Sequence, residues 1–170
     1  MAYKTGEGDK LIPMLHTKLC NILRVTDKSH ILYDSRVEDP ADPMLVESIV
    51  AKGFTSTLLV RRVKLPDGTE VYELIDGRRR DAALLEVERL YPQSRVALKG
   101  VAITVVDAND SEAYALMISR NETGVPYTDT QRARLIQQGI SHGLSMEESC
   151  RPFALSGKQG YKLLQLLRTS

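Results

Sequence analysis

The chain has 170 residues, 42% of them hydrophobic, and a formal net charge of +1, with a mean hydropathy of −0.22. That is enough for one domain or two small ones with a packed core, and it excludes a wholly disordered chain. No apolar run approaches the roughly 18 residues of a membrane span, and Met1 to Lys10 lacks the apolar core of a signal peptide.

A net charge so close to zero neither requires nor forbids nucleic acid, so basic function has to come from local clustering. The two cysteines, Cys20 and Cys150, are far apart, and the three histidines, His16, His30 and His142, lack metal-ligand spacing. A reducing, cytoplasmic compartment is expected, with no metal site built from protein ligands alone.

Residues 1–10 are polar and read as a mobile arm. Leu11 to Val25 mixes apolar and basic residues, and a short helix and an irregular arm both remain open. Ile31-Leu32-Tyr33 is a short strand candidate. Asp42-Pro43 is a cap and first-turn pair for a helix through Leu45, Ile49 and Val50 that ends at Gly53. Thr57 to Val63 and Glu70 to Ile75 are strands joined by Pro66-Asp67-Gly68, so residues 57–75 form a hairpin.

The hairpin delivers the chain to Asp76-Gly77-Arg78-Arg79-Arg80, a tight turn followed by a helix with Ala83, Leu84, Val87 and Leu90 on one side. Tyr91-Pro92 ends that helix. Three arginines in a first turn oppose the helix dipole, which prefers acids there. They make sense if an anion docks on the free N–H groups. Arg79 and Arg80 are the better placed to reach a cleft, with Arg78 turned away. The bland alternative is a solvated turn neutralised by Glu73, Asp76 and Asp81.

A strand from Val101 to Val106 and a helix from Glu112 to Ile118, capped by Asp110 or Ser111, follow. Gly124 and Pro126 mark a break. Thr128 or Asp129 caps a helix with Ala133, Ile136 and Ile140 on one face, ended by Gly143. Ser145 with Glu148 makes a capping box for a short helix carrying Cys150 and Phe153. Ala154-Leu155-Ser156 turns the chain into a last helix with Gly160, Leu163, Leu164 and Leu167 on its inner side.

This is helix-turn-helix spacing, in which the second helix can lie in a major groove. From Arg151 to Ser170 there are Arg151, Lys158, Lys162 and Arg168 and no acid. Such local basicity is the footprint of a nucleic-acid surface. Lys158 and Gln159 are candidates for base edges, and Tyr161 and Lys162 for phosphates. An ordinary helical hairpin with a basic solvent face is the alternative.

These two segments, in this order and separation, resemble the ParB family of chromosome and plasmid partition proteins. Its central pattern is strand–Gly-Glu-Arg-Arg-x-Arg-Ala–helix, against Gly77-Arg78-Arg79-Arg80-Asp81-Ala82-Ala83 here. Gly77, Arg79, Arg80 and Ala83 match, while Arg78 stands for the family Glu and Ala82 for the later Arg. The family's Gly-x-x-Gln-Pro-Leu segment reads Gly53-Phe54-Thr55-Ser56-Thr57-Leu58, with Ser56 and Thr57 in place of Gln and Pro. Its Glu-Asn-x-x-Arg segment is matched only by Asn121-Glu122, in reversed order, after Arg120. The helix-turn-helix aligns without a gap, with Cys150 at a small-residue position and Gly160 at a valine position.

The resemblance implies an α+β fold, a small mixed sheet with flanking helices of ParB/sulfiredoxin type, followed by an all-helical helix-turn-helix segment. The expected boundaries are an arm at 1–30, a nucleotide-binding-type domain at 31–124 and a DNA-binding segment at 125–170. It implies a nucleotide site at Ser56, Thr57, Gly77, Arg78, Arg79, Arg80, Asn121 and Glu122, taking CTP or another triphosphate with Mg²⁺. It implies DNA contact by Ser156, Lys158, Gln159, Tyr161 and Lys162. Double-stranded DNA, a second copy of the chain and a partition ATPase or other protein are the implied partners, in partition or transcriptional control.

A nucleotide hydrolase or nuclease of this fold, and an interaction module that uses no nucleotide, are the competing readings. Sulfiredoxin chemistry is excluded, because no cysteine lies between Cys20 and Cys150.

Overall fold

The computed structural model describes residues 2–4, 11–122 and 124–168. The chain divides into two compact units, the first of residues 1–26 and 35–107, the second of 27–34 and 108–170. It passes from one to the other three times, at 26/27, 34/35 and 107/108.

The first unit is a mixed sheet with helices. Its strands are β1 (Ala2–Lys4), β2 (Leu11–Thr17), β3 (Ile22–Leu23), β4 (Leu58–Lys64), β5 (Glu70–Asp76) and β6 (Val101–Val105), in the spatial order β1-β2-β6-β4-β5-β3. β4 and β5 are the expected antiparallel hairpin, with Arg62 opposite Tyr72. β4 also pairs parallel with β6, and β3 parallel with β5. Helices α1 (Pro43–Lys52) and α2 (Arg78–Leu90) pack on each other, and a short α3 (Arg95–Lys99) precedes β6.

Period-2 alternation builds the core. Leu58 and Val60 of β4, Leu74 of β5 and Ile103 of β6 join Val46 and Ile49 of α1 and Ala83, Leu84 and Val87 of α2 in one apolar cluster. Arg61 and Glu73 alternate to the other face of the sheet, opposite each other in register, and form a buried ion pair at 2.8 Å.

The second unit is helical: α4 (Asp110–Glu122), α5 (Asp129–Ser141), α6 (Met146–Cys150) and α7 (Gly157–Leu164). Capping boxes start α5 at Thr128, α6 at Ser145 and α7 at Ser156. The segment 27–34 packs with these helices. Gln138 Nε2 donates to the carbonyls of Ile31 (2.7 Å) and Tyr33 (2.9 Å), and the Tyr127 hydroxyl donates to the buried Asp34 at 2.6 Å.

The α+β class read from the sequence is the observed one, a mixed sheet with helices followed by a helical segment. Several local expectations are corrected. Leu11 to Val25 is mainly strand, with a single 3₁₀ turn at Leu19–Asn21, because β2 finds β6 and β3 finds β5 as distant partners. Ile31-Leu32-Tyr33 is no strand: Ile31 and Leu32 lie in a turn and are buried. Of the polar arm, Ala2–Lys4 pairs with β2, while Met1 and residues 5–10 lie outside the described residues.

The α4 cap is Asn109, one residue early, since its side chain accepts from the Glu112 N–H at 2.8 Å and Glu112 answers on the Asn109 N–H. Leu90 and Ile140, expected on buried faces, are partly exposed at helix ends.

Candidate functional site

The arginine corner forms where β5 ends. Gly77 takes φ 105° and ψ 26°, a left-handed conformation that glycine adopts without cost. A Cβ at Gly77 would also lie 2.8 Å from Leu58 Cδ2 and 3.2 Å from Arg80 Nη2. Glycine is thus required twice, by the turn and by the close approach of Arg80. No side chain caps α2, so its first-turn N–H groups lack the partner a Ser or Asp would give.

The three arginines part ways. Arg80 reaches across to the loop before β4, donating through Nη1 to Ser56 Oγ (2.6 Å) and the Thr57 carbonyl (2.9 Å). Its Nη2 lies 3.5 Å from Asp76. Arg79 points outward, with a side chain 71% exposed, and pairs with Asp42, the N-cap of α1. Arg78 turns back to the Ile75 carbonyl at 2.8 Å.

Ser56, Thr57, Gly77 and Arg80 are therefore brought together, as the family resemblance implied, with Arg78 beside them. Arg79, expected to reach the cleft with Arg80, points outward to Asp42 instead. The acids expected to neutralise the corner divide the work differently. Asp76 serves Arg80, while Glu73 serves Arg61 and Asp81 serves Arg24.

Two neighbours escaped the sequence reading. Asp42 accepts from the Met44 N–H at 3.0 Å and from Arg79. The Arg79 guanidinium and the Met44 amide hold its carboxyl below the usual carboxylate range. Arg24 grips the buried Asp81 with Nε (2.7 Å) and Nη2 (2.8 Å). Only the cap role of Asp42 had a local signal, Asp-Pro at a helix start.

At the opposite end of α2 a cavity of about 550 Å³ is lined by Ile49, Val50, Val87, Leu90, Tyr91 and Val96 among others. Its walls suit apolar groups rather than phosphate.

Asn121 and Glu122 belong to the second unit and are engaged within it. Asn121 Nδ2 donates to the Met117 carbonyl at 2.8 Å. Glu122 accepts from the Tyr127 N–H (3.0 Å) and from Arg132 (2.9 Å). This pair ties the end of α4 to the start of α5.

The helix-turn-helix runs from α6 through a short 3₁₀ turn at Arg151–Phe153 into α7. Ala154 turns the chain at φ 57°, and Phe153 packs edge-on against Tyr127 with ring centroids 6.1 Å apart. α6 is gripped on two sides by glycines. A Cβ at Gly139 would meet Ser149 Oγ at 2.7 Å, and one at Gly160 would meet Cys150 Sγ at 2.2 Å. Burial pushes the Cys150 thiol up from its ordinary range, leaving it an inert packing group.

Among the DNA candidates, Ser156 and Gln159 hold each other. Ser156 Oγ accepts from the Gln159 N–H at 3.2 Å, and Gln159 Oε1 accepts from the Ser156 N–H at 2.9 Å. Lys158, Tyr161 and Lys162 are exposed on α7.

Among the described residues no three His, Cys, Asp or Glu side chains group as a metal-ligand set. Nor is any helix of the described residues long and apolar enough to cross a membrane.

No protein-family model matches the chain, and no curated protein matches it in sequence. Solved structures do match it. The C-terminally truncated chromosome-partitioning protein ParB from Caulobacter crescentus, complexed to the centromeric parS site, is similar with a TM-score of 0.52 and 18% identity, over 91% of this chain and 71% of that one. The truncated ParB complexed with CTP-γ-S gives a TM-score of 0.45 and 20% identity, over 92% and 79%. At these identities the likeness is one of fold: a mixed sheet with helices, followed by a helical segment, shared with the DNA-complexed form of Caulobacter ParB.

Proposed function

We propose that the chain is a cytoplasmic ParB-like DNA-binding protein, acting in partition or transcriptional control, with a nucleoside triphosphate at the Gly77–Arg80 corner. The observation that carries this reading is the meeting of two separate segments. Arg80 bonds Ser56 and Thr57 at the start of a helix with no side-chain cap. Guanidinium, hydroxyl and helix N–H groups are the donors that phosphate oxygens accept from.

Glycine at 77 lets Arg80 and Leu58 come close to the turn, since a side chain there would meet both. CTP is the first candidate, because the Gly77–Arg80 segment resembles the ParB family pattern, whose best-known members take CTP. Mg²⁺ would arrive on the triphosphate oxygens and screen their charge. Arg78, standing where the family pattern places Glu, supplies no carboxylate to position metal or water. Binding without hydrolysis follows.

On the DNA side, α7 presents Lys158, Tyr161 and Lys162 to solvent. Lys158 and Lys162 supply phosphate or guanine contacts, and the Ser156–Gln159 pair holds the helix start. One helix-turn-helix reads one half-site, so a homodimer on a two-fold operator is the proposed assembly. A partition ATPase is the proposed protein partner.

A second reading has its own support. Each corner arginine already has an oxygen partner inside the fold, so the corner is also self-consistent in an interaction module that takes no nucleotide.

Duplex binding separates the modules. Titrating a labelled duplex pool by anisotropy, Lys158→Ala is expected to weaken binding across sequences and to lower the salt slope by about one. Arg80→Ala should leave duplex binding without nucleotide unchanged. Equal damage by both changes would mean that the two segments do not form separate sites.

A further inference from the structure

We propose that Asp42 is a built-in competitor for phosphate at the arginine corner, so that a triphosphate reaching Arg79 has to displace the Asp42 carboxylate. The inference rests on the phosphate reading given above and adds how strongly that site holds its ligand.

The two Asp42 oxygens have separate tasks. Oδ1 accepts from the Met44 N–H at 3.0 Å and caps α1. Oδ2 takes Arg79 of α2. The contact thus joins the N-terminal ends of two helices, and its residues are 37 apart in sequence. Arg80 rests mainly on neutral oxygens, Ser56 Oγ and the Thr57 carbonyl, and Arg78 donates to the Ile75 carbonyl. Asp76 is an anion too, but it stands 3.5 Å from Arg80. Unlike Arg80, Arg79 is in close contact with a full negative charge.

A phosphate oxygen offers Arg79 the same charge-assisted bond that Asp42 already provides. The exchange gains little at Arg79 itself, and Asp42 must then be solvated beside a polyanion. Solvent access makes the exchange feasible, since the Arg79 side chain is 71% exposed and that of Asp42 27%. Asp42 therefore lowers affinity for any phosphate chain that uses Arg79, while its Oδ1 bond to α1 stays in place.

Asp42→Asn isolates the charge, because asparagine caps helices as well as aspartate. Tripolyphosphate and CTP, each with Mg²⁺, are titrated calorimetrically into wild type, Asp42→Asn and Asp67→Asn. Asp67 lies in the β4–β5 turn and corrects for net charge. Asp42→Asn is expected to bind both probes roughly threefold to fivefold tighter, the scale of an exposed ion pair, with Asp67→Asn matching wild type. Binding by Asp42→Asn alone, with wild type below detection, is the same result at weaker affinity.

Unchanged or weaker binding by Asp42→Asn, while wild type binds, overturns the competitor role and leaves the phosphate site standing. Equal tightening by Asp67→Asn also overturns it, as a general charge effect. Failure of all three proteins to bind either probe overturns the phosphate reading itself. Asp42→Ser, another good cap, repeats the measurement should the first variant melt early.

Discussion

Asp81→Ala is expected to destabilise the sheet unit by about 3 kcal/mol or more, on the scale of breaking a buried ion pair. Asp81 is 3% exposed and takes two bonds from Arg24, whose Nη1 also donates to the carbonyls of Leu19 (3.1 Å) and Ile22 (2.8 Å). Removing the carboxylate strands a guanidinium whose side chain is only 20% exposed. It also frees the first turn of α2 from the segment that leads into and out of β3. Asp81→Asn keeps one acceptor and should fall between wild type and alanine. Urea midpoints at unchanged slope measure the series. An alanine variant within about 0.5 kcal/mol of wild type, the range of an ordinary surface change, would remove Arg24–Asp81 from the forces that hold the corner.

Gly160→Val is expected to be comparably harmful, at about 3 kcal/mol, the upper part of the overpacking range. The first added carbon alone would sit 2.2 Å from Cys150 Sγ and 3.5 Å from Met146 Sδ. The resemblance to ParB gives this clash a meaning. The family pattern has a small residue where Cys150 stands and valine where Gly160 stands, so volume has moved from α7 to α6.

Cys150→Ala should therefore rescue Gly160→Val. Each single change costs stability, one by a cavity and the other by a clash, and the pair together should recover most of it. A double-mutant cycle of denaturant midpoints reads the coupling, expected at roughly 1–3 kcal/mol. Simple additivity would mean that the two helices adjust elsewhere.

What could be read from the sequence was local. The β4–β5 hairpin, the turn at Gly77, the capping box at Ser145 and the helix start at Thr128 or Asp129 are written in residues a few positions apart. So is the helix-turn-helix spacing. The Gly77–Arg80 turn was legible from its own residues, whereas Ser56 and Thr57 joined it only through the resemblance to the ParB family.

What was not legible depended on distant partners. β2 and β3 become strands by pairing with β6 and β5. Ile31-Leu32-Tyr33 looks like a strand but is a buried turn, held by Gln138 more than 100 residues away. Asp42 was visible as a cap and not as the partner of Arg79. Gln159, a plausible base reader by type, is committed to Ser156 by a capping box that the same residues could have revealed. Gly160 at a valine position stood out in the sequence as an oddity, and its link to Cys150 became visible only when the helices were seen to touch.

The most direct measurement is the melting temperature of wild type and Arg80→Ala with Mg²⁺ and each of CTP, ATP, GTP and buffer. A ligand at 100 times its dissociation constant adds roughly 2.7 kcal/mol, a shift of about 5–10 °C for a chain of this size. A nucleotide site at the Gly77–Arg80 corner predicts such a shift in wild type with at least one triphosphate, and its loss in Arg80→Ala. No shift with any triphosphate, or a shift that survives Arg80→Ala, would contradict it.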